Sequence, residues 1–250
     1  MKPVAIFLLA CLVTCLPASA DRVEEAFDAG RFLEAAEAAR TLGGPDNEAR
    51  AARALLADVV VSSTPAPERL DEAERLARKA LEAEPRHIEA RLQLAFALSL
   101  KSRWMSTSEA LDRGYGGTAR DLVTSVLEDD PDNVYGNGFM AVWNIEVMRR
   151  GGRLGAVWMG ASMNKARSYY AHAIESGASS PSLHWQYARA LATLNADKYR
   201  DDIMASLERA GEARAPTALD ALMQTRARSF MDYMRTHSPR EAEAAAVKLF

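Results

Sequence analysis

Small and apolar residues recur along this chain at helical spacing. In the stretch Leu70 to Pro85, Ala73, Ala77 and Ala80 fall at i, i+4 and i+7, which is one face of a helix. Small side chains there let a neighbouring helix approach closely, and Pro85 stops the helix because its ring cannot continue it. The same spacing returns in Ala119, Val123 and Val126 before Pro131, in Ala166, Tyr170 and Ala173 before Gly177, and in Ile203, Leu207 and Ala210 before Pro216. Near the N-terminus Ala35, Ala39 and Leu42 repeat it, and so do Ala242, Ala246 and Leu249 after the Ser238-Pro239 cap. Between these lie helices with apolar positions on more sides. One carries Ile88, Leu92, Leu94, Phe96 and Leu98, another Trp185, Ala188 and Leu191, and a third Leu219, Leu222 and Met223. Val59-Val60-Val61 is the main β-branched run. The pattern predicts an all-α fold of about eleven or twelve helices between Asp21 and Phe250, arranged as antiparallel pairs that pack on their neighbours.

Small-x3-bulky-x2-Ala, with Pro five residues on, resembles the second helix of a tetratricopeptide repeat. Gly30-Arg31-Phe32-Leu33-Glu34-Ala35 resembles the family's turn between its two helices. The Trp-Leu-Gly-Tyr signature of the family is nowhere intact, but six copies of the second-helix pattern stand in register. The resemblance implies an α-solenoid whose concave face comes from the first helix of each pair and binds a protein or peptide. By that register Leu92, Phe96, Tyr135, Val142 and Gln186 would line the groove, with Trp143 on the same helix as Tyr135. This row is more apolar than a groove that clamps a carboxylate with Lys and Asn, and it suits an apolar ligand or an added helix. Asn137 and Asn144 either hydrogen-bond a peptide backbone or, the preferred reading, cap, bend or face water.

The repeat spacing fails in two places. Pro85 and Pro131 are 46 residues apart, and Ala119 and Ala166 are 47 apart, against about 34 in a typical repeat of this family. The surplus falls near 101–118 and 149–162, between the helices of two consecutive pairs, so both should emerge on one edge. The first contains Trp104, Met105 and Tyr115 with Gly114, Gly116 and Gly117. The second contains Leu154, Val157, Trp158 and Met159 among Gly151, Gly152, Gly155 and Gly160. Either the paired helices run longer and these aromatics pack together, or the surplus forms a glycine-hinged lobe that covers a ligand or meets a partner. Trp104 and Trp158 are the candidates there.

The first twenty residues read as a secretion signal. Lys2 precedes an apolar run from Val4 to Leu16, and Ala18-Ser19-Ala20 offers small residues for cleavage after Ala20. The run of about thirteen residues is too short to span a bilayer, and the expected compartment is the periplasm. Both cysteines, Cys11 and Cys15, lie in this segment. They read as small apolar filler in preference to a lipid anchor at Cys15.

The chain has 31 Lys+Arg against 34 Asp+Glu, which gives no nucleic-acid footprint. The histidines 87, 172, 184 and 237 read as surface or cap residues. No Cys pair, His-x3-His, phosphate loop or nucleophile elbow occurs, so neither metal nor cofactor nor catalysis is expected. The oxygen-rich run Asp129 to Asn133 reads as a turn between helices rather than a cation site, and the many methionines read as gap fillers. The expected function is a non-catalytic periplasmic scaffold for a protein or peptide partner. A second expectation comes from Asn164 to Ser176 with the following Ser-Pro-Ser-Leu. This stretch faintly resembles the periplasmic T-component of tripartite solute transporters, which implies a small apolar ligand.

Overall fold

The computed structural model describes residues 19–62, 66–177 and 179–249. The expected secretion signal lies outside them, except for Ser19 and Ala20 at the start of the first helix. Among the described residues there are thirteen α-helices and no strands. They are α1 Ser19–Asp28, α2 Phe32–Leu42, α3 Pro45–Val61, α4 Pro67–Ala83, α5 Ile88–Arg103, α6 Thr107–Asp112, α7 Tyr115–Asp129, α8 Val134–Met159, α9 Met163–Glu175, α10 Pro181–Asn195, α11 Arg200–Glu212, α12 Ala218–Thr236 and α13 Pro239–Lys248. Six pairs account for all but α6, which forms within the first surplus stretch and takes the count past the expected eleven or twelve.

Local chemistry starts most of these helices. The side chains of Ser106, Asn133, Ser162, Ser180 and Thr217 each accept a hydrogen bond from the backbone N–H three residues on, satisfying a donor that the helix leaves free. Ser238 and Glu241 form a reciprocal capping box, and Pro stands in the first turn of α3, α4, α10 and α13.

The alanines that set the sequence pattern are the points of closest packing. Ala35, Ala39, Ala73, Ala77, Ala80, Ala119, Ala166, Ala173, Ala210, Ala242 and Ala246 are all fully buried. Glycines serve the same purpose in α8. A Cβ on Gly136 would lie 2.9 Å from Leu127 of α7, and one on Gly138 would lie 2.8 Å from Leu183 of α10. The core runs as two large clusters, one from α1 to α8 and one from α8 to α13, with a small third of Ala49, Ala80 and Ala90. The array curls until α12 meets α1 and α3. There Arg226 donates to the Val60 carbonyl at 3.0 Å. Gly30 holds φ +77°, and a Cβ on it would stand 2.9 Å from that of Ala218.

Gly30→Ala should therefore cost about 1–3 kcal/mol, by positive-φ strain and by pushing α12 away. Gly117 is helical with open space around it, so Gly117→Ala should stabilise by about 0.5 kcal/mol. Urea denaturation of the two variants measures both, and equal effects would argue against the close approach at Gly30.

Candidate functional site

The two surplus stretches meet. Arg150 of α8 donates through Nη1 to the Ser102 carbonyl at 2.7 Å and through Nη2 to the Met105 carbonyl at 3.0 Å. It thereby places a cation on the carbonyls that end α5. Trp143 donates from its indole nitrogen to the Gly116 carbonyl at 3.0 Å, and the Met159 methyl lies 3.9 Å from where a Cβ on Gly116 would sit. Gly152, at φ +57°, breaks α8, and Gly160, at φ +68°, ends it. The segment between them presents Leu154, Val157 and Trp158 at 86%, 82% and 75% exposure, while Ala156 turns inward. Trp104 and Leu111 of the neighbouring stretch are about half exposed. Leu154, Val157 and Trp158 make an apolar lobe whose root Arg150 anchors to the neighbouring stretch.

The six residues expected to bind divide between core and surface. Leu92 and Trp143 are buried in the core. Phe96, one helical turn beyond Leu92, is half-buried and meets Phe139 edge to face with ring centroids 5.3 Å apart. Tyr135 stands exposed at the start of α8, Trp158 lies on the lobe, and Trp104 follows the end of α5 in the stretch that Arg150 binds. Asn137 and Asn144 are buried and bind local backbone instead of a peptide. Asn137 donates to the Pro131 and Asn133 carbonyls, and Asn144 donates to Met140 O while accepting from Ser162 N–H.

Charge is unevenly distributed over the first helices of the pairs. Midway along α3, Arg53 donates to Glu24 of α1 at 2.6 Å, and Gln93 donates to Glu89 of the first turn of α5. The carboxylates of Glu89, Asp220 and Glu24 lie near the exposed Tyr135 hydroxyl, with Arg53 opposing them. Arg103 of the last turn of α5, Arg149 and Arg150 of α8 and, from the middle of α10, Arg189 lie around the carboxylate of Glu146. Arg149 binds it at 2.7 Å and Arg189 lies 3.7 Å from it. Burial favours the neutral carboxyl of Glu146, but Arg189, Arg149 and Arg103 outweigh it and hold the group below its ordinary range. Burial, followed by repulsion from Arg189, pushes Arg103 down to about 9 despite Glu146.

One of the histidines read as surface or cap is fully buried. His184 Nδ1 lies 2.7 Å from the Tyr170 hydroxyl, and its Nε2 lies 3.0 Å from Ser179 Oγ. Tyr170 also donates to Ser206 and stacks on Tyr187. The network draws on α9, the turn before α10, α10 itself and α11, so no spacing in the chain signals it. Asp129, in the oxygen-rich turn, is taken by Arg86 and Arg91. No group of three His, Cys, Asp or Glu suited to a metal occurs among the described residues, and no described helix is long and apolar enough to cross a membrane.

No family model matches this chain, and no curated protein does. Among solved structures, a thermophilic tetratricopeptide-repeat protein from Thermus thermophilus is similar. The TM-score is 0.56 and the identity 14%, over 84% of this chain and 96% of that one. At that identity the likeness concerns the fold, which is an all-α solenoid of the tetratricopeptide-repeat type.

The buried network carries a pH dependence. Burial, then Arg209, lowers His184 from 6.5 to about 4. Between those values the unfolded chain binds a proton that the folded chain does not. Stability is therefore full above about pH 6.5 and falls as the pH drops toward 4, by on the order of 2 kcal/mol. Denaturation at stepped pH should show this fall, and His184→Gln should flatten it. An unchanged slope in the variant would place the effect elsewhere.

Proposed function

We propose that this protein is a non-catalytic, exported binding module that holds a protein partner on the lobe and the adjoining concave face. The observation that carries the reading is the exposure of Leu154, Val157 and Trp158 on a segment whose root is fixed by Arg150. Contiguous apolar surface of this kind is costly in water and marks sites of association. Tryptophan supplies large contact area there for little lost conformational freedom. A solenoid suits the role because its pairs lean only on neighbours, so surplus chain can project without disturbing the core. The periplasmic setting rests on the reading of residues 1–20 as a cleaved signal. The alternative of a small apolar ligand has less support, since Leu92 and Trp143 pack into the core.

A photocrosslinking residue at position 158, placed in the protein within its own host, tests the partner. It should yield a discrete protein adduct that a crosslinker at exposed Leu33 of α2 does not. Leu154→Ser should lower the adduct about tenfold while leaving stability within about 0.5 kcal/mol. Identical bands from both positions, or none from 158, would overturn the reading. N-terminal sequencing of the periplasmic protein should begin at Asp21, and a chain that stays in the cytoplasm would refute export.

A further inference from the structure

In four successive pairs the fourth residue of the first helix is polar and buried. It is Glu48 in α3, Arg91 in α5, Asn137 in α8 and His184 in α10. Three of them find their partners within the protein. The terminal nitrogens of Arg91 donate to Asp129 and to the Ser125 and Arg86 carbonyls, and only its Nε lacks an acceptor. Asn137 donates to two carbonyls, and both ring nitrogens of His184 meet hydroxyls. Glu48 is the least satisfied of the four. Its side chain is 6% exposed, Oε1 takes the Lys79 ammonium, and Oε2 is buried with no hydrogen-bond partner. A buried carboxylate oxygen left without a donor is costly.

That carboxylate lines a cleft. Helices α2 and α4 both pack on α3. Between them opens a space of about 300 Å³, lined by Glu37, Arg40 and Thr41 of α2, Glu48 of α3, and Arg75 and Lys79 of α4. Leu76 adds one apolar wall. Arg75 is held by Glu72 through two N–H donors, at 2.9 and 2.7 Å. Arg40 is not held in this way. Its Nη1 lies 3.6 Å from Glu37 and 3.8 Å from Glu72, too far for hydrogen bonds. The cleft thus offers an acceptor without a donor and a guanidinium without a bonded acceptor. Its cations, Arg40, Arg75 and Lys79, are matched by Glu37, Glu48 and Glu72, so an ion of one sign alone gains little there.

We infer that this cleft binds a free α-amino acid, with the ligand's ammonium on Glu48 and its carboxylate on Arg40. The volume stands at the small end of ligand sites, which run from about 300 to 1,000 Å³, and the polar walls suit a zwitterion rather than an apolar molecule. An ammonium brings three donors, and a guanidinium meets a carboxylate through paired N–H groups. Lys79, 58% exposed on a flexible stem, is the movable wall. As it turns aside, the Glu48 carboxylate is freed for the incoming ammonium, and Lys79 follows the carboxylate of the ligand. The site draws on α2, α3 and α4 only, so it stands independently of the lobe on α8.

L-Alanine and L-serine carry the recognised groups and serve as probes, with thermal midpoints measured at equal, low millimolar concentration. Each should raise the midpoint of the intact protein by about 2–4 °C. Three analogues should not. N-Acetyl-L-alanine lacks the ammonium, L-alaninamide lacks the carboxylate, and glycine betaine keeps both charges but has no N–H to donate. Glu48→Gln should abolish the rise. Arg40→Gln, at a half-exposed position, should leave the midpoint without ligand unchanged and weaken L-alanine binding about tenfold in calorimetric titration. Glu34→Gln, an exposed acid of the same helix, should keep the full response. No rise with either amino acid, an equal rise with any of the three analogues, or a rise that survives Glu48→Gln would overturn the site. If Glu48→Gln does not fold, Arg40→Gln decides, and undiminished binding in that variant would overturn the inference.

Discussion

The close contact of helices at alanine governs this structure. Every second helix buries at least one alanine completely, from Ala35 to Ala246, beside bulkier core residues such as Tyr170, Ile203 and Leu207. Helices packed on such residues approach at the short end of the usual 8–10 Å between axes. That distance fixes the tilt of each pair on the next, and the repeated tilt curls the array. The curl is tight enough that α12 reaches α1 and α3, where Gly30 has room for no side chain. Chain that does not fit the spacing has no place inside, because each layer is already filled. It must emerge at an edge.

How it emerges depends on one guanidinium. Arg150 donates to the carbonyls of Ser102, in the last turn of α5, and of Met105, just beyond it. The same contact joins the two surplus stretches, whose own sequences share no pattern. Beyond it, Gly152 and Gly160 adopt left-handed conformations that only glycine takes readily, so the short segment between them can turn its apolar residues outward. Neither longer helices nor a free loop describes the result. The first surplus makes a separate short helix, and the second makes a helix broken near its end.

The fold was legible because its cause is periodic. Alanine at i, i+4 and i+7 before proline is both the mark of the packing and its mechanism, and counting residues between copies exposed the surplus. Exposure was less legible. Leu92 and Phe96 lie one turn apart on the same helix and looked equally suited to the groove, yet a small rotation of α5 buries the first and leaves the second half-exposed. His184 follows Pro181 as a cap-like residue would, and only the fold brings Tyr170 and Ser179 to its ring. The arginine cluster is drawn from positions 103, 149, 150 and 189. No spacing in the chain marks it, because its members share a place only after three helices have been laid side by side.

That cluster also gives the concave face a direction. The first helices of the pairs run roughly parallel, so their dipoles add in effect, each equivalent to about half a charge at either end. Glu89 and Asp220 stand in the first turns of α5 and α12, Arg103 in the last turn of α5, and Arg149 and Arg150 just before the break of α8 at Gly152, the arrangement that those dipoles favour. Arg189 departs from it. It sits in the middle of α10, where the dipole gives a cation little, and it is the most buried of the four arginines. Its placement costs free energy that neither the helix ends nor one carboxylate at 3.7 Å offsets. Charges this far from solvent are weakly screened by salt, so the polarity across the face persists at physiological ionic strength.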